Sequence, residues 1–326
     1  MTIRNQQLEI CLENNGGVIG SVRHISSDVN PLSFRMERAA GSGQFFTGHF
    51  ICAPRWGDAG GDEMAKGAIK HGEFCHLPWE ISYHTDHAIH ASALSEIDDI
   101  KIEREITLSP DSPVCSVVEK ITNTGRQFRP CNLVQHPTIA APFLNENTRI
   151  DCSASYGWRD MGPGVEPIST GVWPESLNQQ NNCIILNHSN PDNAGVYSFR
   201  VKNNDTAWMT AYDPTSGLLL GYCWNANEYP WVHHWIHVEN NKAIYRGLEF
   251  GTAALHQPFE VIAANNWWQW YDAPSGFFLI AGGSRIFSYQ FFLVAADKGL
   301  YEVTDVAIAN ERLKITGNAG DWSMTL

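Results

Sequence analysis

The stretch Ile100-Lys101-Ile102-Glu103-Arg104-Glu105-Ile106-Thr107-Leu108 alternates apolar and polar side chains along most of its length. Successive residues of a strand point to opposite faces, so this alternation reads as a strand with one face buried. Strand-like runs at 80–83 and 88–94 precede it, and another at 114–122 follows. The links at 84–87, 96–99 and 109–113 hold His, Thr, Asp, Ser and Pro, the composition of turns. The set predicts an antiparallel meander.

The second half continues in the same manner. Short β-branched or aromatic runs predict strands at 184–187, 196–201, 207–212, 218–223, 231–238, 244–250, 259–263 and 286–296. Helical periodicity is almost absent. Two segments rich in Gly, Pro, Asn and Ser, 39–70 and 153–182, are predicted as long loops, a feature that in compact domains more often serves function than not. No low-complexity linker or short-period repeat divides the chain. The expected fold is all-β with few helices: one large antiparallel sandwich domain spanning residues 1–326.

Bulk properties narrow the function. The 326 residues carry 35 acidic and 22 basic side chains, for a net charge of −13. Such a chain is a poor partner for nucleic acid or an anionic membrane. It has no apolar run of about 18 residues that would span a bilayer. Its N-terminus lacks the apolar core of a secretion signal, so a cytoplasmic location is expected. The eight cysteines show no CxxC spacing and are expected to be free, buried thiols. No metal or other cofactor is expected.

Three segments carry chemistry. His71 begins His71-Gly72-Glu73-Phe74-Cys75-His76-Leu77-Pro78-Trp79-Glu80, His136 lies in Gln135-His136-Pro137, and Glu249 lies in Gly247-Leu248-Glu249-Phe250-Gly251. A carboxylate and imidazoles brought together can move protons on and off sugar oxygens. On a strand, Leu248 and Phe250 point away from Glu249, while Gly247 and Gly251 share its face. These glycines are expected to leave room for a ligand beside the carboxylate. In Trp231-Val232-His233-His234-Trp235-Ile236-His237, strand parity puts His233, Trp235 and His237 on one face. Two such histidines need further ligands to hold a metal, and no carboxylate or cysteine partner is evident nearby. Trp235 is better read as a stacking face for a sugar.

The order and spacing of these motifs resemble the aldose 1-epimerase, or galactose mutarotase-like, family over roughly residues 1–300. His71, Gly72, Trp79 and Glu80 resemble the family's His-Gly-Phe-Ala-Arg…Trp-Glu segment. The run from Arg104 through Asn123-Thr124-Gly125 resembles its paired strands, His136-Pro137 its His-Pro-Tyr-Phe segment, and Leu248-Glu249 its late glutamate strand. The resemblance implies a β-supersandwich and exchange of sugar anomers, with Glu249 as base, His136 as acid, and His71 and Arg55 contacting substrate. Asp213 is the nearest candidate for the family's substrate-binding aspartate. His76 replaces the family arginine, Thr138-Ile139 replace Tyr-Phe, and residues 297–326 lie beyond the pattern.

The expected partner is a monosaccharide, bound by a monomer or homodimer. Arg55, Arg159 and Arg246 are the candidates for holding a phosphate, but the net charge favours a neutral sugar. Two other functions compete: a carbohydrate-binding protein without turnover, and a glycan lyase or hydrolase. The hydrolase lacks a second well-placed carboxylate.

Overall fold

The computed structural model describes residues 1–202, 205–296, 299–310 and 312–325. Two large antiparallel sheets dominate it. The first has eleven strands. Its path runs Thr2–Arg4, Leu8–Leu12, Ile19–His24, His49–Cys52, Val134–Ala140, Lys242–Gly247, Trp231–Glu239, Gly195–Val201, Ala154–Arg159, Ile168–Val172. The short strand Glu249–Gly251 pairs with both Val134–Ala140 and Trp231–Glu239.

The second sheet has eight strands, in the order Arg149–Cys152, Thr206–Asp213, Leu218–Asn225, Ser284–Ala295, Val114–Asn123, Ile100–Leu108, Ala88–Ser95, Glu80–His84. The meander predicted around Ile100–Leu108 forms one end of it. Ile102 pairs with Ile121, and Ile106 with Val117. One apolar core contains residues of both sheets, among them Ile51, Ile139 and Phe250 from the first and Ile102, Val117 and Leu220 from the second. The fold is therefore a β-sandwich.

Alternation holds in Ile100–Leu108, with one substitution of meaning. Arg104 shares the buried face with Ile102 and Ile106 and is 1% exposed. Its Nε donates to Glu119 Oε1 at 2.7 Å, its guanidinium donates to the Gly17 carbonyl, and it lies over the Trp79 ring. Gln135 donates from Nε2 to the other oxygen of Glu119 and meets His49 Nε2 at 3.1 Å. This network of charged and polar groups crosses the core and ends directly beneath the strand that carries His136.

Several expectations change. The segment 259–263 is part of a helix, Phe259–Ala264, not a strand. Pro258 precedes it, and Phe259 and Ile262, three residues apart, share its buried face. The run 244–250 is interrupted at Leu248, although its register against Val134–Ala140 continues. The Leu248 N–H donates to the Pro137 carbonyl at 2.8 Å, and Pro137 has no N–H to donate back. The two long loops are not free of structure. The first contains strands Phe45–Thr47 and His49–Cys52, and the second contains Ala154–Arg159, Ile168–Val172 and Glu175–Leu177. All eight cysteines are unpaired as expected, but Cys183 is exposed.

Beyond residue 300, strands Val303–Ala309, Arg312–Gly317 and Gly320–Thr325 form a separate three-stranded sheet. Its Val306, Leu313 and Ile315 pack on Trp208, Leu219 and Phe292, covering part of the outer face of the eight-stranded sheet. Among the described residues, no helix is long and apolar enough to cross a membrane.

Candidate active site

Cross-strand register assembles the site. On adjacent strands of the eleven-stranded sheet Phe50 faces His136, and Glu249 faces His233. Gln135 faces Phe250 and Thr138 faces Gly247, so the same antiparallel register puts His136 directly opposite Glu249. These register positions line up Phe50, His136, Glu249 and His233 as a row across the sheet. Phe50 stacks on the His136 ring, with centroids 4.2 Å apart. Leu248 and Phe250, either side of Glu249, point into the main core instead.

A cavity of about 200 Å³ opens over this row. His71, His136, Trp235 and Glu249, all singled out in the sequence, line it together. Trp56, His256, Lys70, Arg38 and several apolar side chains complete the wall. Sequence reading missed these additions, although Trp56 adjoins Arg55 and His256 lies seven residues beyond Glu249. Their approach to the row depends on loop paths that no local pattern records.

The row has a defined proton arrangement. Glu249 is 1% exposed. Trp56 Nε1–H donates to its Oε2 at 3.0 Å. Its Oε1 lies 3.2 Å from His136 Nε2. Burial pushes the Glu249 carboxyl up to about 8, opposed by the Trp56 hydrogen bond. Burial also pushes His136 down to about 3. Removing charges from water favours the neutral forms of both groups. At neutral pH the two together hold one proton, on Glu249. His136 Nδ1 meets the Thr138 hydroxyl at 2.9 Å. A tautomer with Nδ1–H donating to Thr138 leaves Nε2 free to accept from Glu249.

His71 has φ of +63°, an uncommon backbone for a non-glycine residue, in the turn that leads to Gly72. A Cβ at Gly72 would lie 1.8 Å from the Ala53 carbonyl oxygen, so glycine alone permits that approach. The Gly57 N–H donates to His71 Nδ1 at 3.2 Å. Neutral His71 therefore carries its hydrogen on Nε2. Burial and the neighbouring cationic groups hold its pKa well below the ordinary value. His256 approaches the Asp160 carboxylate at 3.6 Å and makes edge contact with Trp56, at 4.8 Å between centroids.

The flanking glycines act differently from expectation. A Cβ at Gly247 would meet Glu249 Oε1 at 2.7 Å, so Gly247 makes room for the carboxyl group itself. Gly251 packs against Val134 and the Leu133 carbonyl and opens no space for a ligand.

Two expected substrate contacts are not brought to the cavity. Arg55 donates to Glu63 Oε1 at 2.9 Å and to both oxygens of Asp98, and it lines a separate acidic cavity with Asp62 and Glu260. Asp213 ends a strand of the other sheet. It accepts from the N–H groups of Thr215 and Ser216 and from the Asn145 amide, which makes it a turn-forming residue. Arg159 and Arg246 also lie off the cavity, donating to the carbonyls of Leu177 and Leu186.

Strand parity in 231–237 holds, with different partners. His233 Nδ1 meets Ser198 Oγ at 2.8 Å and its ring packs on Trp56. His234 stacks on Trp173 on the opposite face. His237 meets Glu239 at 3.1 Å. Among the described residues no group of three His, Cys, Asp or Glu side chains is placed to hold a metal ion.

No protein-family model matches the chain, and no curated protein matches it in sequence. Solved structures do match. A galactose mutarotase-like protein from Clostridium acetobutylicum superposes with a TM-score of 0.66 at 13% identity, covering 90% of this chain and 94% of that one. A galactose mutarotase-like protein from Lactobacillus casei gives 0.63 at 15% identity, covering 90% and 99%. A galactose mutarotase related enzyme from Lactobacillus acidophilus gives 0.63 at 13% identity, covering 91% and 98%. The architecture described above is thus shared, nearly end to end, with other solved proteins.

Proposed function

Given a galactose mutarotase-like fold, we propose that this chain interconverts the α and β anomers of a free monosaccharide. The observation that carries the reading is the contact of 3.2 Å between His136 Nε2 and Glu249 Oε1 at the floor of a walled cavity. An anomeric carbon bears two oxygens, the hydroxyl and the ring oxygen. An acid and a base side by side match that pair of oxygens.

In the proposed cycle the base takes the proton of the anomeric hydroxyl. The O1–H electron pair forms the C1=O1 bond, and the C1–O5 bond breaks with its electrons going to O5. The acid protonates O5. Rotation about C1–C2 and closure on the other face give the second anomer and return both protons. Glu249 serves as base and His136 as acid. Because burial leaves the pair's proton on Glu249, the cycle begins with its passage across the 3.2 Å contact to His136. Sugar hydroxyls entering the cavity favour this charged form by supplying the dipoles that burial removed. His71, with hydrogen on Nε2, donates to a sugar oxygen, and Trp235 offers a flat face to the ring.

The cavity volume suits a monosaccharide rather than a polymer. The test is the return of a freshly dissolved single anomer to equilibrium, followed by polarimetry or by NMR exchange. The expected result is faster exchange for at least one aldose, lost in Glu249→Gln and His136→Asn. Folded protein that accelerates no member of a panel of aldoses and aldose 6-phosphates would end the proposal. Sugar binding that survives both substitutions without turnover would point to a carbohydrate-binding protein instead.

A further inference from the structure

Among the described residues the cavity wall carries two full cations, Arg38 and Lys70, and one acidic side chain, Glu249. That is unexpected in a chain of net charge −13. Glu249 does not neutralise them, since it faces His136 and Trp56. Lys70 is half exposed and reaches Asp58 only at 3.9 Å, also half exposed. Such a contact is weak. Arg38 has no ion-pair partner among the described residues and lines the cavity beside Lys70. Its Nε is sealed from solvent and cavity alike, so a ligand meets the Nη end of the guanidinium.

We propose that the sugar acted on here is an aldose acid of the hexuronate class, its carboxylate held by Arg38 and Lys70. The inference rests on the anomer-exchange reading and names the substrate class for the same site. Arginine also presents its two Nη groups side by side, a fork that a planar carboxylate accepts with both oxygens. The placement agrees. Lys70 adjoins His71 in sequence. Phe46 contacts His71 and His76 edge-on or tilted at 5.7 and 5.1 Å, and His76 feels the charge of Arg38. The two cations thus lie on the side of the cavity that carries Phe46 and His71. A sugar with C1 at Glu249 and its ring oxygen towards His71 directs its C6 substituent to that side.

A carboxylate fits better than a phosphate because neither short helix among the described residues contributes a residue to the cavity, so no helix N-terminus is there to cradle a dianion. On its other side Arg38 borders a space shared with Glu73 and His76, where Glu73 accepts the Ser95 hydroxyl at 2.7 Å and forms no ion pair with Arg38.

The experiment compares anomer exchange of galacturonate and glucuronate with galactose, glucose and their 6-phosphates, with binding of each measured by calorimetry. The expected kcat/KM for one hexuronate exceeds that of its neutral counterpart by about 10-fold or more, the scale of a charge-assisted hydrogen bond. The ratio falls as salt is raised. Arg38→Gln and Lys70→Gln each reduce it, and Arg38→Lys restores part of it. Equal or slower exchange of both hexuronates, or a 6-phosphate ahead of them, overturns the proposal while leaving anomer exchange standing. If no sugar is turned over, calorimetry decides: hexuronate binding weakened in Arg38→Gln supports the carboxylate site and ends the anomer-exchange reading. Absence of any hexuronate preference in binding ends the carboxylate site.

Discussion

His136 Nε2 lies 3.2 Å from Glu249 Oε1, with Thr138 on the far nitrogen of the imidazole and Trp56 on the far oxygen of the carboxyl. Each partner group fixes one end, so Nε2 and Oε1 face one another and hold one proton between them. The pair therefore titrates as a unit.

The pH profile follows. In the proposed anomer exchange the competent form carries one proton. Below about 3 His136 is protonated as well, and no base remains. Above about 8 Glu249 loses its proton, and no acid remains. The profile of kcat/KM should be flat between these limbs. A single limb near 6.5, the ordinary value for histidine, would contradict the shared-proton account.

Glu249→Gln should lower kcat by about 10²–10⁴-fold, the usual worth of an acid–base group. It should also stabilise the protein. The folded pKa of Glu249, about 8, lies above its ordinary value of 4.5, so the native state holds a proton that the unfolded chain releases between those limits. Stability is fully present below about 4.5 and is lost as pH rises through about 8. Glutamine carries no such burden. Chemical denaturation at pH 7 should show a gain on the order of 1–3 kcal/mol, shrinking towards zero near pH 4.5.

Trp56→Phe keeps a ring against His233 and removes the donor to Glu249 Oε2. That hydrogen bond holds the carboxyl pKa down against burial. Without it the alkaline limb should move upward from about 8. An unmoved limb in a folded variant would separate Trp56 from the proton balance of the site.

Arg104→Met leaves Glu119, which is 0% exposed, without its cation. Breaking a buried pair from one side costs about 3–5 kcal/mol. Adding Glu119→Gln should recover part of the loss in denaturant unfolding. If the single variant unfolds within about 1 kcal/mol of the parent, the core network contributes far less than its burial suggests.

The resemblance between sequence motifs and site was uneven, for identifiable reasons. His71, His136 and Glu249 were legible because each sits in a local pattern: a His-Gly turn, a His-Pro strand, a carboxylate between apolar neighbours. Trp235 was legible from strand parity. Arg55 shows the limit. Its motif position pointed to a sugar contact, but Asp98 and Glu63 lie close enough to claim its guanidinium. Asp213 likewise ends a strand before Pro214 in the sequence, and in space it closes a turn of the opposite sheet. Nothing local distinguishes a turn aspartate from a binding aspartate. The helix Phe259–Ala264 was read as a strand because six residues are too few for helical periodicity to separate from a short apolar run.

The sequence by itself determined an antiparallel β-fold, because polar–apolar alternation and turn residues act over neighbours along the chain. It also determined which face Glu249 presents, since parity on a strand is local. Only the tertiary structure decided that His136 meets Glu249, that Trp56 completes the carboxyl's contacts, and that Arg38 and Lys70 share the cavity with them. Those contacts join residues as many as 193 positions apart, as in Trp56 to Glu249. They are set by strand order, register and loop path, which arise when two sheets close over one core.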